Sequence, residues 1–290
     1  MIKDIIVTGA EGMVGSAVVD VLSGNRDFRV HPYSHSRIDI THDRSMRNIL
    51  RGTDFWGWIN CAAYTNVDLA ETEVDKAISI NAFGPQLITT LCQAMGTRLM
   101  HFSTDMVFND PNESGYNEDD IPPAGTLYSR YGETKLAGEN AVLYGYPENG
   151  VVIRTSAVYG PTKGKNFPKS IIAGYERNKK LTVTEKEFVK PTYSIDIATT
   201  LLFLLNNWTE LVTNKGHRVF HAVPAKSTSR YNQAKLIGCL MGFEDKVEPG
   251  DFKRKIEMNP YSILNNTLLP ELPDWRESTK RYVDSLRLSL

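Results

Sequence analysis

A tyrosine and a lysine, Tyr131 and Lys135, stand four residues apart at the start of a segment with a helical pattern. Side chains with this spacing lie on the same face of a helix, so the amino group can lie close to the phenol. A phenol titrates at about pH 10 in water, and a neighbouring cation lowers that pKa. The pair can therefore supply a general acid for the reduction of a ketone, with Tyr131 as proton donor. Tyr128 is a second phenol nearby, but no lysine follows it after four residues.

Two hydroxyl side chains, Ser103 and Thr104, follow an apolar segment that begins near Arg98. The pattern predicts a strand, and the hydroxyls come at its carboxyl end, where open α/β sheets bind their ligands. A hydroxyl at that edge can donate a hydrogen bond to a substrate carbonyl and stabilise the charge that develops on its oxygen. One predicted crossover separates this strand from Tyr131, so the sheet can bring the two groups together.

Three glycines, Gly9, Gly12 and Gly15, follow the first predicted strand and open a predicted helix. Glycine permits a tight turn, a close approach of the backbone to a pyrophosphate and close packing of helix on strand. The free N–H groups of a helix N-terminus, here near Met13 and Val14, bind phosphate. We therefore expect a dinucleotide-binding turn. A plain strand-to-helix turn is the competing interpretation, and the position between strand and helix counts against it.

The end of the second predicted strand bears on the choice of dinucleotide. NAD-specific sites usually place a carboxylate there to hold the ribose hydroxyls. This chain instead has Ser34, Ser36 and Arg37 after Tyr33. The missing carboxylate and the added cation favour the 2′-phosphate of NADP, so NADPH is the predicted cofactor and NADH the alternative. A solvated surface charge is the competing interpretation of Arg37.

Short β-rich segments alternate with longer helical patterns as far as about residue 158, which predicts an α/β fold with a doubly wound parallel sheet of the Rossmann type. The predicted strands are Ile2–Thr8, Phe28–Tyr33, Gly57–Ala62, Arg98–Ser103 and Val151–Arg154. The predicted helices are Gly12–Leu22, Asp75–Met95 and Tyr131–Tyr144.

The alternation becomes irregular after Tyr159, where glycine and proline punctuate the chain. Residues 194–206 then indicate a helix, residues 217–223 a strand, and a further strand is expected near Lys180. We predict a dinucleotide-binding domain at residues 1–158 that is rejoined by about 194–223. The predicted smaller, substrate-binding lobe comprises residues 159–193 and 224–290.

Charge and composition exclude several classes of partner. The chain of 290 residues has 33 basic and 34 acidic side chains and a formal net charge of -1, so no broad field attracts nucleic acid or an anionic membrane. No apolar segment approaches the roughly 18 to 20 residues that a membrane-spanning helix needs. The N-terminus lacks a signal-peptide pattern. We expect a cytoplasmic protein.

The sequence contains no convincing pattern for a metal site or a disulfide bond. Cys61, Cys92 and Cys239 are odd in number and lie in apolar surroundings, so we expect buried, reduced thiols. His31 and His35 lack a third ligand nearby, and no metal site is predicted. The acidic residues Glu118, Asp119 and Asp120 belong to a polar loop, residues 109–125, which we expect to be solvated and, from its length, functional.

Several longer strings, spread over almost the whole chain, resemble the dTDP-4-dehydrorhamnose reductases. These enzymes are extended short-chain dehydrogenases that complete dTDP-L-rhamnose synthesis, and the wide glycine spacing is typical of that class. The fairly specific strings are N-C-A-A-Y-T-N-V-D-L-A-E at residues 60–71 and S-T-D-M-V-F at 103–108. Further matches are I-N at 80–81, Y-G-E-T-K at 131–135, R-T-S-A-V-Y-G at 154–160, N-F at 166–167, P-T-Y at 191–193 and P-D-W-R at 273–276.

The resemblance implies an oxidoreductase that uses NADPH to reduce the C4 ketone of a nucleotide-linked 4-keto-6-deoxy sugar. It implies a catalytic trio of Thr104, Tyr131 and Lys135, with Tyr131 as proton donor. On the cofactor side it implies Ala62, Ala63, Tyr64 and Thr65 along the nicotinamide and its ribose, and Asp39 and Ile40 near the adenine. On the substrate side it implies Val67, Asp105, Met106, Ala157 and Asn166.

The departures from the family pattern fall mainly on the substrate side. Met106 stands where the family usually has tyrosine, and Ala157 stands where it usually has tryptophan. The strings at residues 186–192 and 259–262 also differ, whereas the cofactor and catalytic positions are kept. We therefore expect the same reaction on a related but different substrate, with another base, another stereochemistry or another 4-keto sugar.

Two other functions share this sequence pattern. An epimerase or dehydratase of the same superfamily holds NAD tightly and recycles it; the dehydratases usually have more acidic residues beside the catalytic threonine than the single Asp105 here. A non-catalytic subunit, like the regulatory subunit of methionine adenosyltransferase in this superfamily, binds a dinucleotide and a partner protein. The complete trio counts against it. A homodimer is compatible with either enzyme function.

Overall fold

A parallel sheet at the centre of the computed structural model has the predicted catalytic residues at its carboxyl edge. The structure describes residues 2–50, 52–123, 127–161, 164–178, 180–251 and 259–288. The strands are β1 (Lys3–Thr8), β2 (Phe28–Tyr33), β3 (Gly57–Asn60), β4 (Arg98–Thr104), β5 (Gly150–Thr155), β6 (Val158–Tyr159), β7 (Leu181–Val183), β8 (Phe188–Val189), β9 (Thr192–Tyr193), β10 (Val219–His221), β11 (Thr228–Ser229) and β12 (Val247–Pro249).

Six strands of the described chain pair in parallel in the order β10-β5-β4-β3-β1-β2. The chain moves outward in opposite directions from β1, and open α/β sheets bind ligands at the carboxyl edge beside such a reversal. The α/β prediction is confirmed. The third strand ends at Asn60 rather than Ala62, because the Ala62 N–H binds the Asn60 side chain (3.1 Å).

Helices that link the strands of the six-stranded sheet cover both of its faces, and other helices belong to the later part of the chain. They are α1 (Met13–Ser23), α2 (Asp43–Ile49), α3 (Val67–Ala70), α4 (Val74–Ile78), α5 (Gly84–Met95), α6 (Arg130–Gly145), α7 (Phe167–Asn178), α8 (Ser194–Asn206), α9 (Arg230–Met241) and α10 (Trp275–Arg287). Alternate residues of β1 point to opposite faces. Ile5 packs with Val18 and Leu201, whereas Ile6 packs with Ile88 and Val142.

The helix expected at Asp75–Met95 contains a wider turn. A π-helical turn at Ser79–Phe83 separates α4 from α5. Pro85, in the first turn of α5, has no N–H to donate to the carbonyl four residues earlier, so the α-helical pattern cannot continue unchanged through Asn81. Such turns are frequent at functional sites, and this one holds the fully buried Asn81.

The later part of the chain contributes a separate apolar cluster. Ile171 of α7, Ile237 of α9 and Val247 of β12 belong to it, away from the six-stranded sheet. The helix expected at 194–206 coincides with α8, and the strand expected at 217–223 is limited to β10. The domain boundaries at residues 158, 193 and 223 stay a prediction.

Two expectations about individual side chains were wrong. Cys239 is exposed rather than buried, and Cys61 is only partly buried. Glu118 is not solvated: its carboxylate accepts hydrogen bonds from the Thr267 backbone (3.0 Å) and hydroxyl (2.6 Å), which fasten the polar loop to the C-terminal segment. Residues 124 and 125 of that loop lie outside the described residues.

Two general features bear on partners and ligands. Among the described residues, no helix combines the length and apolarity needed to cross a membrane. The same described ranges contain no group of three or more histidine, cysteine or acidic side chains that could hold a metal ion.

Replacing Glu139 in the core is expected to destabilise the fold. Arg154 donates to both Glu139 oxygens (3.0 and 2.8 Å), and the two side chains are only 2% and 1% exposed. Removing one partner of such a pair leaves a buried charge and costs about 3 to 5 kcal/mol. We expect Glu139→Gln to lower the free energy of unfolding by about 3 kcal/mol in urea titrations.

The matched control is Glu133→Gln on the same helix. Glu133 pairs with the solvent-exposed Arg130 at the protein surface, and surface pairs contribute little. Its urea midpoint is expected to remain close to that of the unaltered chain. Equal losses in both variants would contradict the importance of the buried pair.

Candidate active site

A cleft of about 1590 Å³ runs along the carboxyl edge of the sheet. It is lined by the turn after β1, the ends of β3 and β4, the first turn of α6 and the start of α9. Thr104, Tyr131 and Lys135 all line the cleft, so the structure brings the three predicted catalytic side chains together.

The glycine turn forms by backbone contacts that leave no room for side chains. Gly9 has a positive φ of 72°, and a Cβ there would lie 2.6 Å from the backbone of Cys61 and Ala62. A Cβ on Gly15 would lie 2.1 Å from the Gly9 carbonyl oxygen. Gly9, Gly12, Met13 and Val14 line the cleft, whereas Gly15 lets α1 pack on the turn. No side chain caps the N-terminus of α1.

Only some of the residues predicted for the adenine side of the dinucleotide line the cleft. Ser34, Asp39 and Ile40 line the cleft, and the Asp39 carboxylate accepts hydrogen bonds from the Thr41 backbone and hydroxyl. Arg37 does not line the cleft; its guanidinium lies 5.7 Å from the centre of the Tyr33 ring. Its predicted contact with a 2′-phosphate therefore has no geometric support here.

The segment after β3 is held by the π-helical turn. Ala62, Ala63, Tyr64, Thr65 and Val67 line the cleft as expected. The Asn81 amide accepts from the Tyr64 N–H (2.8 Å) and donates to the Tyr64 carbonyl (3.1 Å) and to the Thr134 hydroxyl (3.1 Å). Asn81 therefore links the predicted nicotinamide side to the helix of Tyr131. The sequence did not single it out as a site residue.

The first turn of α6 lies directly against the end of β4. The Ser129 side chain caps the helix by accepting from the Gly132 N–H (3.1 Å). A Cβ on Gly132 would lie 2.3 Å from the Met106 carbonyl oxygen, so only glycine allows this approach. The approach brings Tyr131 within hydrogen-bonding reach of Thr104.

The Tyr131 phenol lies in a setting that keeps it protonated. Burial and the negative charge of Asp105 raise its pKa above the usual range, and the hydrogen bond with Thr104 acts in the opposite direction. The sequence predicts that the Lys135 cation lowers this pKa; in this structure burial and Asp105 are the larger effects, and the pKa is raised. A phenol that retains its proton near neutral pH suits a proton donor.

The Lys135 amino group is buried against β4. Its Nζ donates to the Phe102 carbonyl (2.6 Å) and lies 3.2 Å from the His101 Nε2. Burial lowers the pKa of Lys135 to about 8, while Glu139 and, more weakly, Cys61 raise it. The lysine is thus the group of the trio that loses its proton at the lowest pH.

The predicted substrate side contains a buried carboxylate with several hydrogen-bonding partners. Asp105 accepts from the hydroxyls of Thr104 (2.9 Å) and Ser156 (2.8 Å). Burial raises the pKa of Asp105, and the hydrogen bonds from Ser156 and Thr104 and the charge of Arg230 oppose that rise. Arg230 and Ser262 line the cleft but follow Asp105 by more than a hundred residues, so no local pattern indicated them.

The remaining substrate-side predictions have different outcomes. Met106 and Ala157 line the cleft, and Ala157 adopts a positive φ of 46°. Asn166 does not line it. Its amide donates to the Gly160 carbonyl (3.0 Å) and the Tyr282 hydroxyl (2.8 Å) and accepts from the Lys169 N–H, so it joins α7 to α10.

Comparison with known proteins identifies the family. Residues 3–288 match the family described as the RmlD substrate binding domain. The dTDP-4-dehydrorhamnose reductase of Mycolicibacterium smegmatis is 32% identical over 288 residues, 96% of this chain and 84% of the relative. This chain belongs to the dTDP-4-dehydrorhamnose reductase family. The resemblance found in the sequence is confirmed.

Two further proteins that are similar to this chain bear on the substrate and the cofactor. The dTDP-4-keto-6-deoxy-D-glucose reductase of Streptomyces niveus is 29% identical, covering 94% of this chain and 90% of the relative. The crystal structure of dTDP-4-dehydrorhamnose reductase from Bacillus anthracis, in complex with NADP, superposes with a TM-score of 0.88 at 28% identity. The superposition covers 98% of this chain and 99% of the Bacillus anthracis chain.

Adding one methyl group to the glycine turn is expected to weaken dinucleotide binding. In Gly15→Ala the new Cβ collides with the Gly9 carbonyl, so α1 must move away from the predicted phosphate site. We expect the Kd for NADPH, measured by fluorescence titration, to rise at least about tenfold, which corresponds to 1.4 kcal/mol. The control is Gly24→Ala at the other end of α1, where the nearest atom lies at an ordinary 3.5 Å. Equal affinity of both variants would contradict this role.

Proposed function

We propose that this protein reduces the C4 ketone of a nucleotide-linked 4-keto-6-deoxy sugar, with Tyr131 as proton donor. The observation that carries the proposal is that Thr104, Tyr131 and Lys135 lie in one cleft beside the glycine turn. The names of the relatives support the reaction class, since both are reductases of dTDP-linked 4-keto sugars.

The residues of this chain fit a nicotinamide dinucleotide at one end of the cleft. The glycine turn leaves the space that a side chain would fill, and the uncapped start of α1 offers N–H donors for a pyrophosphate. Ala62 to Thr65 line the same cleft, and the family resemblance assigns them to the nicotinamide and its ribose. NADPH supplies the hydride when bound, and the NADP complex of the Bacillus anthracis relative supports this choice over NADH.

The protein's own contribution to the reaction is the proton and its placement. As negative charge develops on the C4 oxygen, the Tyr131 O–H donates its proton to that oxygen, and the phenol becomes phenolate. Thr104 lies beside the phenol, and its hydroxyl donates to Asp105 (2.9 Å). A Lys135 cation favours the phenolate that remains and can hold ribose hydroxyls.

The substrate end of the cleft favours a sugar nucleotide other than the ordinary rhamnose precursor. Met106 and Ala157 line the cleft at positions where the family usually has tyrosine and tryptophan, so the shape of the pocket differs there. Arg230 and Lys165 line the cleft as well, and their positive charges favour an anionic diphosphate there. The Streptomyces niveus relative supports a changed sugar, because its name specifies 4-keto-6-deoxy-D-glucose instead of 4-dehydrorhamnose.

The proposal is tested by NADPH oxidation with a panel of 4-keto-6-deoxy sugars linked to dTDP, UDP, GDP and CDP. We expect stoichiometric NADPH oxidation with at least one dTDP sugar and turnover at least about tenfold higher than with the other bases. Absence of oxidation with every member of the panel would falsify the reaction. Purified protein that carries NAD and converts a sugar nucleotide without added NADPH would instead support the epimerase or dehydratase alternative.

The pH dependence of the reaction is expected to follow Lys135. Because its pKa lies at about 8 whereas that of Tyr131 is raised, the lysine cation is lost first as the pH rises. We therefore expect kcat/KM to be level near pH 7 and to fall above about pH 8, about tenfold per pH unit. A profile that stays level to about pH 10 would contradict the requirement for the cation.

A further inference from the structure

A chain of hydrogen bonds beneath the cleft joins β1, β3 and β4 to the helix of Lys135. The Thr8 hydroxyl donates to Asn60 Oδ1 (2.9 Å), Asn60 Nδ2 lies 3.1 Å from His101 Nδ1, and His101 Nε2 lies 3.2 Å from Lys135 Nζ. The four residues are at most 2% exposed. Each polar atom in this series of hydrogen bonds must therefore pair with the polar atom next to it.

The orientation of the Asn60 amide is determined by the backbone. The Ala62 N–H can only donate, and it points to the Asn60 Oδ1 (3.1 Å). The Thr8 hydroxyl donates to the same oxygen, since it accepts from the Trp58 indole N–H (3.2 Å). The opposite side of the amide, which faces His101, is consequently the NH₂ group.

The amide orientation in turn determines which nitrogen of His101 has the proton. His101 Nδ1 faces an N–H donor, so it must be the acceptor. Burial holds the pKa of His101 well below its usual value, so the imidazole is neutral and has one N–H. That proton is therefore on Nε2, which faces the lysine.

A donor at His101 Nε2 requires an acceptor at Lys135 Nζ. An ammonium group has three N–H donors and no lone pair, whereas a neutral amine accepts one hydrogen bond and donates two. One N–H of the amine is used by the Phe102 carbonyl (2.6 Å). The opposite tautomer would place two donors face to face between Asn60 and His101, at a distance of 3.1 Å in the protein interior.

We propose that His101 is a positioning residue, held by Asn60 in its Nε2-protonated tautomer, and that its Nε2–H disfavours the Lys135 cation relative to the neutral amine in this position. Gly138 contributes to this contact, because a Cβ there would lie 3.2 Å from His101 Nε2 and 2.2 Å from the Asn81 carbonyl. The tautomer follows from the geometry alone. Its effect on the reaction rests on the proposed function, in which the lysine acts as a cation.

The other charged and titratable groups around Lys135 act in both directions. On its own helix, Glu139 favours the cation and is itself paired with Arg154 of β5. Cys61, which follows β3, also favours the cation, more weakly. Burial favours the amine most strongly, and the His101 N–H adds to that effect. Reversing the His101 tautomer should therefore raise the pKa of Lys135.

The first test is the tautomer of His101 in the purified full-length chain. Two-bond ¹H–¹⁵N correlation spectra distinguish a protonated ring nitrogen from an unprotonated one, and the signals absent from His101→Phe identify this residue among six histidines. We expect a protonated Nε2 and an unprotonated Nδ1 near neutral pH. A protonated Nδ1 in the unaltered chain would overturn the proposal without any reference to activity.

The second test reverses the tautomer with Asn60→Asp. A carboxylate accepts on both oxygens, so it can still bind the Ala62 N–H and the Thr8 hydroxyl while requiring a donor at His101 Nδ1. We expect a proton to appear on Nδ1 in the same spectra. In Thr8→Val the Ala62 N–H still orients the amide, and the tautomer should remain that of the unaltered chain.

The effect on the reaction is measured by the pH profile of kcat/KM. In Asn60→Asp the fall of kcat/KM at alkaline pH, called the alkaline limb here, should begin about one pH unit higher, which is a tenfold change in the ionisation constant. In Thr8→Val the alkaline limb should stay at its original pH. A reversed tautomer with an unmoved limb would overturn the influence of His101 on Lys135. Absence of activity in the unaltered chain would count against the proposed function and leave the tautomer result standing.

Discussion

The close approach of α6 to the sheet is the constraint on which the site depends. Two glycines permit it. Gly132 lies against the Met106 carbonyl, and Gly138 lies against the Asn81 carbonyl, with room for no Cβ at either position. Because Lys135 lies between them on the same helix, its long side chain is forced inward to β4. The same approach places Tyr131 beside Thr104.

That approach buries several polar groups, and their partners come from distant parts of the chain. Asn81 connects Tyr64 to Thr134, and Glu139 neutralises Arg154 on β5. Such networks are costly when only partly satisfied, which makes them sensitive to single substitutions. The electrostatic result is a protonated phenol above a lysine whose cation is disfavoured by burial. The site's pH behaviour is therefore a consequence of how the helix packs.

Much of the fold and the convergence of the trio could be predicted from local patterns. Strand ends, glycine spacing and the four-residue interval of Tyr131 and Lys135 are short-range features, and sheet topology then brings them together. Asn166 shows the limit, because its partner Tyr282 lies 116 residues away and no local signal reveals it. Arg230 likewise enters the cleft only through packing. The His101 network also leaves no periodic pattern, since its hydrogen bonds join different strands.

The central claim is that Tyr131 gives the proton to the reduced ketone. The most direct measurement compares the steady-state NADPH oxidation of Tyr131→Phe and Tyr128→Phe with that of the unaltered chain, together with NADPH affinity by fluorescence titration. The account predicts that Tyr131→Phe lowers kcat at least about a hundredfold, the lower end of what a positioned proton donor contributes, while its NADPH affinity is retained. A hundredfold loss in Tyr128→Phe, with Tyr131→Phe nearly as active as the unaltered chain, would contradict it.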